Sequence, residues 1–228
     1  MTNFWRRLKY YGFGFLLGMI FLVFFFQNRG CSWLPSNRVK NAVLDRLIVV
    51  SETTATELKK KGISYDELVQ VLNDGEVEFG KSNKEGDDKV YLIEKDGINY
   101  MFSLPYESFI SEVFIGTDVK GLQTSTEGLG EIIHYPNDDN MVYPDSTELV
   151  TCQQQKLGLI APKEILKLIK KTGKIDFEKS DLTKRPKPEQ YIWFEDKDGK
   201  KIGINTIWYK NKINITRFDD ENGVISCD

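Results

Sequence analysis

Two short polar runs occupy matching places in this chain of 228 residues: Lys81-Ser82-Asn83 and Lys179-Ser180-Asp181. A serine beside a lysine can contact a ligand through its hydroxyl, or act as a nucleophile with the lysine as base. Adjacent residues on a strand point to opposite faces, so that chemistry needs a turn to bring the two side chains together. The plainer reading is that Ser-Asn and Ser-Asp lead the chain out of a strand through side-chain-to-backbone hydrogen bonds. That reading is favoured, so Lys81, Ser82, Lys179 and Ser180 stand as candidate ligand contacts and no residue is assigned a catalytic role.

Little else is arranged for chemistry. The single histidine, His134, lies beside Tyr135 and Asp138 in a polar stretch, with no second imidazole to join it in a metal site. The three cysteines, Cys31, Cys152 and Cys227, form no C-x-x-C pair. Cys152 and Cys227 could join as a disulfide outside the cytoplasm, or remain two free thiols. No glycine-rich phosphate loop or Ser-His-Asp set occurs, and no cofactor is expected. Lys163, Lys167, Lys170, Lys171, Lys174, Lys184, Arg185 and Lys187 precede Tyr191 and Trp193, a mixture that can bind single-stranded nucleic acid. Most have no counterpart at the first polar run, so a solvated helix face and a Pro-braced loop are the preferred reading. Nucleic acid is not an expected partner.

The elements that position these residues come in two copies. Gly75-Glu76-Val77-Glu78-Phe79-Gly80-Lys81-Ser82-Asn83 recurs as Gly173-Lys174-Ile175-Asp176-Phe177-Glu178-Lys179-Ser180-Asp181, identical or conservative at seven of nine positions. Upstream of each run the pattern predicts two helices. The first, over residues 52–61 and 148–157, ends at Gly62 or Gly158. The second opens on a Ser64…Glu67 capping box in one copy and on Pro162 in the other. Downstream it predicts a short strand, a hairpin around Asp96-Gly97 or Asp198-Gly199, and a last strand over 109–115 or 212–218. Helices grouped before strands imply an α+β fold of two tandem ααββββ repeats, each with an antiparallel sheet and its helix pair on one face. The repeats are placed at residues 47–116 and 147–228, with residues 117–146 as linker.

Residues 10–27 carry no charge and are apolar on every side, at about the length that spans a bilayer. They follow a basic tail, residues 1–9, and precede a juxtamembrane segment, residues 28–46. Aromatics stand at both ends, Trp5, Tyr10, Tyr11 and then Trp33. An uncleaved transmembrane helix in contact with lipid is preferred to three alternatives. A cleaved signal peptide and a lipid on Cys31 are both opposed by Asn28 and Arg29, and nothing as long elsewhere is comparably apolar to suggest a core helix. Arg6, Arg7 and Lys9 favour a cytoplasmic N-terminus, with the body exported across a bacterial inner membrane into the periplasm. Without the four basic residues of 1–31, that body has a net charge of about −7, which disfavours a phosphate backbone as partner.

The run Trp33-Leu34-Pro35-Ser36-Asn37-Arg38-Val39-Lys40, the Ser-Glu helix start, the Gly62 break and the Phe79…Lys81-Ser82 strand resemble a family of small Bacteroidota membrane proteins. That family carries a domain of unknown function distantly similar to the RelE/BrnT toxin-like α+β fold. The resemblance covers residues 31–115, and the second copy through the repeat. The wider family tends to place a histidine in its first helix, where this chain has Thr53, Thr54 and Thr56, or Thr151 and Cys152, so no catalytic residue is carried over. The resulting expectation is a membrane-anchored, non-catalytic interaction or scaffold module with a protein partner. The alternatives are a degenerate ribonuclease-like enzyme and a membrane-held toxin inhibitor.

Overall fold

The structure, a computed structural model, describes residues 2–28, 34–209 and 212–227. Residues 1–39 and 40–228 are two compact units. In the first, helix α1 runs over Thr2–Asn28. Its side chains from Trp5 to Leu22 are exposed, Trp5, Phe13, Phe15 and Ile20 each by more than half. The expectation of a transmembrane helix at residues 10–27 is corrected here. No helix among the described residues is long and apolar enough to cross a membrane. Thr2, Asn3, Arg6, Arg7 and Lys9 make the first third of α1 polar, and Gly12, Gly14 and Gly18 thin its apolar middle. The expectations for Arg29, Cys31 and Trp33 lie outside the described residues. Helix α2 (Pro35–Leu44) then leads into the second unit.

The second unit holds the two copies. The first is β1 (Leu47–Ser51), α3 (Glu52–Lys61), α4 (Tyr65–Asp74), β2 (Glu76–Val77), β3 (Lys89–Lys95), β4 (Ile98–Leu104) and β5 (Ile110–Ile115). A joining strand follows, β6 (Leu129–His134). The second copy is β7 (Val142–Pro144), α5 (Glu148–Leu157), α6 (Pro162–Thr172), β8 (Lys174–Asp181), β9 (Glu189–Glu195), β10 (Lys201–Tyr209) and β11 (Lys212–Asp220), with β12 (Gly223–Val224) behind it.

Local chemistry explains the helix limits. Ser51 and Thr147 cap α3 and α5, each accepting a backbone N–H three residues on, from Thr54 and Val150. Gly62 and Gly158 end them at φ 69°, a left-handed conformation that glycine adopts without a Cβ penalty. Ser64 and Glu67 form the reciprocal capping box of α4, and Pro162 opens α6. Each second helix lays one apolar stripe on the sheet: Leu68, Val71 and Leu72, or Ile165, Leu168 and Ile169.

Two tandem ααββββ repeats with separate antiparallel sheets are also corrected. Each copy begins with a strand that its sequence hides, so the unit is βααββββ. That leading strand pairs parallel with the last one: Leu47 opposite Ile110 on β1–β5, and Val142 opposite Ile213 on β7–β11. The twelve strands of the described residues form one mixed sheet, in the order β12-β11-β10-β9-β8-β6-β1-β5-β4-β3-β2 with β7 against β11. Strand β6, from the stretch read as linker, makes the seam, antiparallel to β1 on one side and to β8 on the other. His134 is on this strand, half-buried, with Nε2 3.2 Å from the Leu44 carbonyl oxygen.

The copies present opposite faces. Directly paired residues share a face of a sheet, so Asp219, Gly203, Trp193, Lys174, Glu131 and Val50 stand in one row on one side. Helix α3 packs on β1 and β6, and the Tyr65 hydroxyl of α4 donates to Glu131 at 2.6 Å. The first helix pair therefore lies on the Trp193 side. On the other side Ile175, Ile192, Phe194, Ile202 and Ile204 form the main core with Val150 of α5 and Ile165 and Ile169 of α6. Leu47, Val49 and Ile110 of the first copy join that core.

Candidate functional site

The strand alternation that buries Ile192 and Phe194 beneath α6 turns Tyr191 and Trp193 to the helix-free side of the second copy. Their rings meet edge to face at a centroid distance of 5.2 Å. Trp193 donates its indole N–H to Asp176 (2.9 Å), and Tyr191 donates its hydroxyl to Asp219 (2.7 Å). Arg217 donates to both oxygens of Asp219, at 2.8 and 3.2 Å. Burial, the bond to Asp219 and its charge all raise the Tyr191 pKa, so this hydroxyl stays protonated and donating. The network locks two carboxylates and two rings into a fixed plate. Gly203 makes room for it: a Cβ there would collide with the Tyr191 hydroxyl.

Lys179 completes the plate. Its ammonium lies 4.4 Å from the Trp193 centroid and 4.9 Å from that of Tyr191, and Lys201 approaches Trp193 at 6.0 Å. Contacts of this kind contribute about 0.5–2 kcal/mol, more as water is excluded. Lys179 is thus held over aromatic faces. Ser180 bridges the bulge in β8, donating to the Asp176 carbonyl (2.6 Å) and accepting from the Tyr191 N–H (3.0 Å). Ser82 does the same in the first copy, donating to the Glu78 carbonyl (2.7 Å) and accepting from the Leu92 N–H (3.0 Å). Lys81 pairs with Glu78 at 3.4 Å. In both copies the serine hydroxyl spends its proton and a lone pair on the backbone, so the Lys-Ser pairs hold two strands together at an irregularity.

Beside the plate, where β6 meets the first helix pair, is a cavity of about 550 Å³ lined by Glu52, Thr56, Lys59, Ser64, Tyr65 and Glu131 among others. Burial and the bond to Glu131 push the Tyr65 hydroxyl up to about 12. Since Glu131, Lys174 and Trp193 are consecutive in one row of the sheet, the plate and the cavity belong to one face.

The corresponding helix-free face of the first copy is built differently. Val90, Leu92, Met101 and Phe114 make it apolar, and the chain after β5 returns over it with Val119 and Leu122. Glu112, fully buried on β5, fastens this cover by accepting the Ser125 N–H at 2.9 Å and a short bond from the Ser125 hydroxyl. Burial pushes the Glu112 carboxyl up to about 7, although the two Ser125 bonds pull it down.

Among the described residues, no group of three or more His, Cys, Asp or Glu is placed to hold a metal ion. Cys152 and Cys227 are joined, closing a loop across a sequence separation of 75. Sequence reasoning missed Asp176, Tyr191, Trp193, Tyr65 and Glu131 as members of one face. The alternation Tyr191-x-Trp193 opposite Ile192-x-Phe194 was a signal for the plate. Nothing local marked Glu131, because it lies in the stretch read as linker. The fold is α+β with one large mixed sheet; no family model, curated protein or solved structure matches the chain.

Proposed function

We propose that the chain is a non-catalytic interaction module whose docking surface is the helix-free face of the second copy. The observation that carries this reading is the contrast between the copies. The same face is covered by the chain's own segment in the first copy, whereas in the second the exposed Lys174, Lys179 and Lys201 and the half-buried Trp193 stand over a buried Tyr191. Rigid aromatic anchors with a polar surround suit a protein partner. The partner segment would supply an apolar or aromatic side chain for Trp193 and carboxylates for Lys174, Lys179 and Lys201. The Ser180 hydroxyl beside the plate is committed to backbone on both sides, which speaks against a serine nucleophile there. The Cys152–Cys227 disulfide supports an oxidising compartment outside the cytoplasm for this unit.

A selection of random extended peptides on the full chain tests the reading. Enriched sequences should carry an aromatic flanked by acids and should lose affinity by about tenfold or more on Trp193→Ala. Enrichment of peptides indifferent to both Trp193→Ala and Lys179→Ala would remove the assignment.

A further inference from the structure

The duplication supplies an internal control for a second surface. Each copy has a cavity between its second helix and the tip of its hairpin. In the first copy Glu67, Gln70, Lys95, Asp96 and Tyr100 are among the residues lining about 280 Å³. In the second, Lys163, Lys167, Leu168, Lys171, Asp196 and Lys197 are among those lining about 740 Å³. Aligning Glu67 with Glu164 sets Asp66, Gln70 and Asp74 against Lys163, Lys167 and Lys171. The helix that is acidic along this stripe in one copy is basic in the other.

Residues four apart stand above one another on a helix, so each triplet is a straight stripe about 12 Å long at 1.5 Å per residue. All six residues are exposed. Asp74 meets Lys95 at 3.5 Å, and Lys197 pairs with Glu164. Lys163, Lys167 and Lys171 make no ion pair among the described residues. A lysine stripe along a roomy groove is complementary to an acidic stripe, and the same chain carries one. Laid antiparallel, Asp66 meets Lys171 and Asp74 meets Lys163, with the two helix dipoles opposed.

We infer that the α6 groove receives the α4 stripe of a second copy of this chain. The contact joins unlike surfaces, so it propagates head to tail and forms a ring or an open string. It is independent of the plate proposed above, which lies on the other face of the second copy.

The test uses full-length chain in a mild non-ionic detergent, donor- and acceptor-labelled, read by energy transfer. At about 10 mM salt, where screening extends to roughly 30 Å, the wild type should associate, and about 0.15 M salt should weaken it. Lys163→Glu/Lys167→Glu/Lys171→Glu and Asp66→Lys/Asp74→Lys should each lose association by about tenfold or more, the scale of several reversed surface pairs. Mixing the two variants brings together both the native pair and the reversed pair, so the mixture should associate again in alternation while each variant alone does not. Association unchanged by either variant overturns the inference, as does a wild type that stays monomeric at low salt. So does a monomeric wild type whose groove binds a poly-glutamate peptide, because that assigns the lysines to a foreign partner.

Discussion

In the first copy the sheet face away from the helices is apolar, and the segment after β5 returns to cover it through Val119, Leu122 and the Glu112–Ser125 bonds. In the second copy the equivalent segment, after β11, goes the other way. It turns back as β12, Ile225 packs on the core beneath α5, and Cys227 bonds to Cys152. The face it leaves is armoured with charge and aromatic rings. One fold has thus been finished in two ways: an apolar face made safe by its own chain, and a polar face braced by its own charged and aromatic side chains. The exit path of one segment decides which face is available.

Four changes probe this contrast, in falling order of effect. Removing the disulfide by Cys152→Ser/Cys227→Ser releases the clip that holds the second copy's terminal segment. Loop-closure entropy for a span of this size puts the loss at about 4 kcal/mol, measurable by denaturant unfolding with and without reductant. The first copy has no such clip, yet its most protected amides should lose hydrogen-exchange protection too, because it shares its core with the second.

The cover of the first copy is instead sensitive to pH. Glu112 binds its proton more tightly folded than unfolded, with a folded value of about 7 against the ordinary 4.5. Its contribution is therefore fully present below about pH 4.5 and is lost as pH rises through about 7. The shift corresponds to roughly 3 kcal/mol at 1.36 kcal/mol per unit. Glu112→Gln should flatten that part of the profile and be the more stable protein above pH 7, as unfolding of both proteins across pH would show. Greater stability of the wild type at pH 8 would sink this account.

Gly203→Ala strikes the plate. The added methyl displaces the Tyr191 hydroxyl from Asp219, combining overpacking with a lost buried bond, at a cost of roughly 2–4 kcal/mol. Trp193 fluorescence should shift with it, reporting the loosened ring pair. The smallest and most symmetrical effect is expected of Ser82→Ala and Ser180→Ala. Each takes the hydroxyl acceptor from one backbone N–H and a donor from one carbonyl, about 1–2 kcal/mol, although the Glu78 carbonyl keeps the Lys81 and Ser82 N–H groups. Near-equal losses in thermal unfolding would confirm that the two serines do the same work; a far larger loss of stability at Ser180 would separate them.

Much of the fold is written in short-range signals. Ser64…Glu67, Pro162, Gly62 and Gly158 act within a few residues, and the helix limits read from them coincide with α3 and α5. The Asp-Gly turns likewise set the hairpins β3–β4 and β9–β10. What was illegible depends on distant pairing. Leu47–Ser51 is a run buried at every position, and its identity as a central strand depends on β5 and β6, more than sixty residues away. Strand β6 has a weak alternation and sits among turn residues, so its role as a seam exists only once both copies are in place. The candidate site shared that fate: the lysines and serines were visible as a repeat, but their opposite fates, Lys81 on Glu78 and Lys179 over two rings, follow from which neighbour the sheet supplies. The apolar run near the N-terminus failed for a different reason, because a local stretch was read apart from the polar third of the helix that contains it.

The seam has a thermodynamic consequence. Tandem domains joined by a linker usually melt separately, each with its own midpoint. Here β6 takes ladder hydrogen bonds from both copies, and Leu47, Val49 and Ile110 of one are buried in the core of the other. At Gly130 on β6 a Cβ would come within 2.7 Å of the Phe177 ring, so the seam strand lies directly against the second copy with no side chain between them. Neither half can unfold without stripping the other of a neighbouring strand and part of its core. The duplicated unit therefore behaves as one cooperative block, and calorimetry should show a single transition whose van't Hoff and calorimetric enthalpies agree.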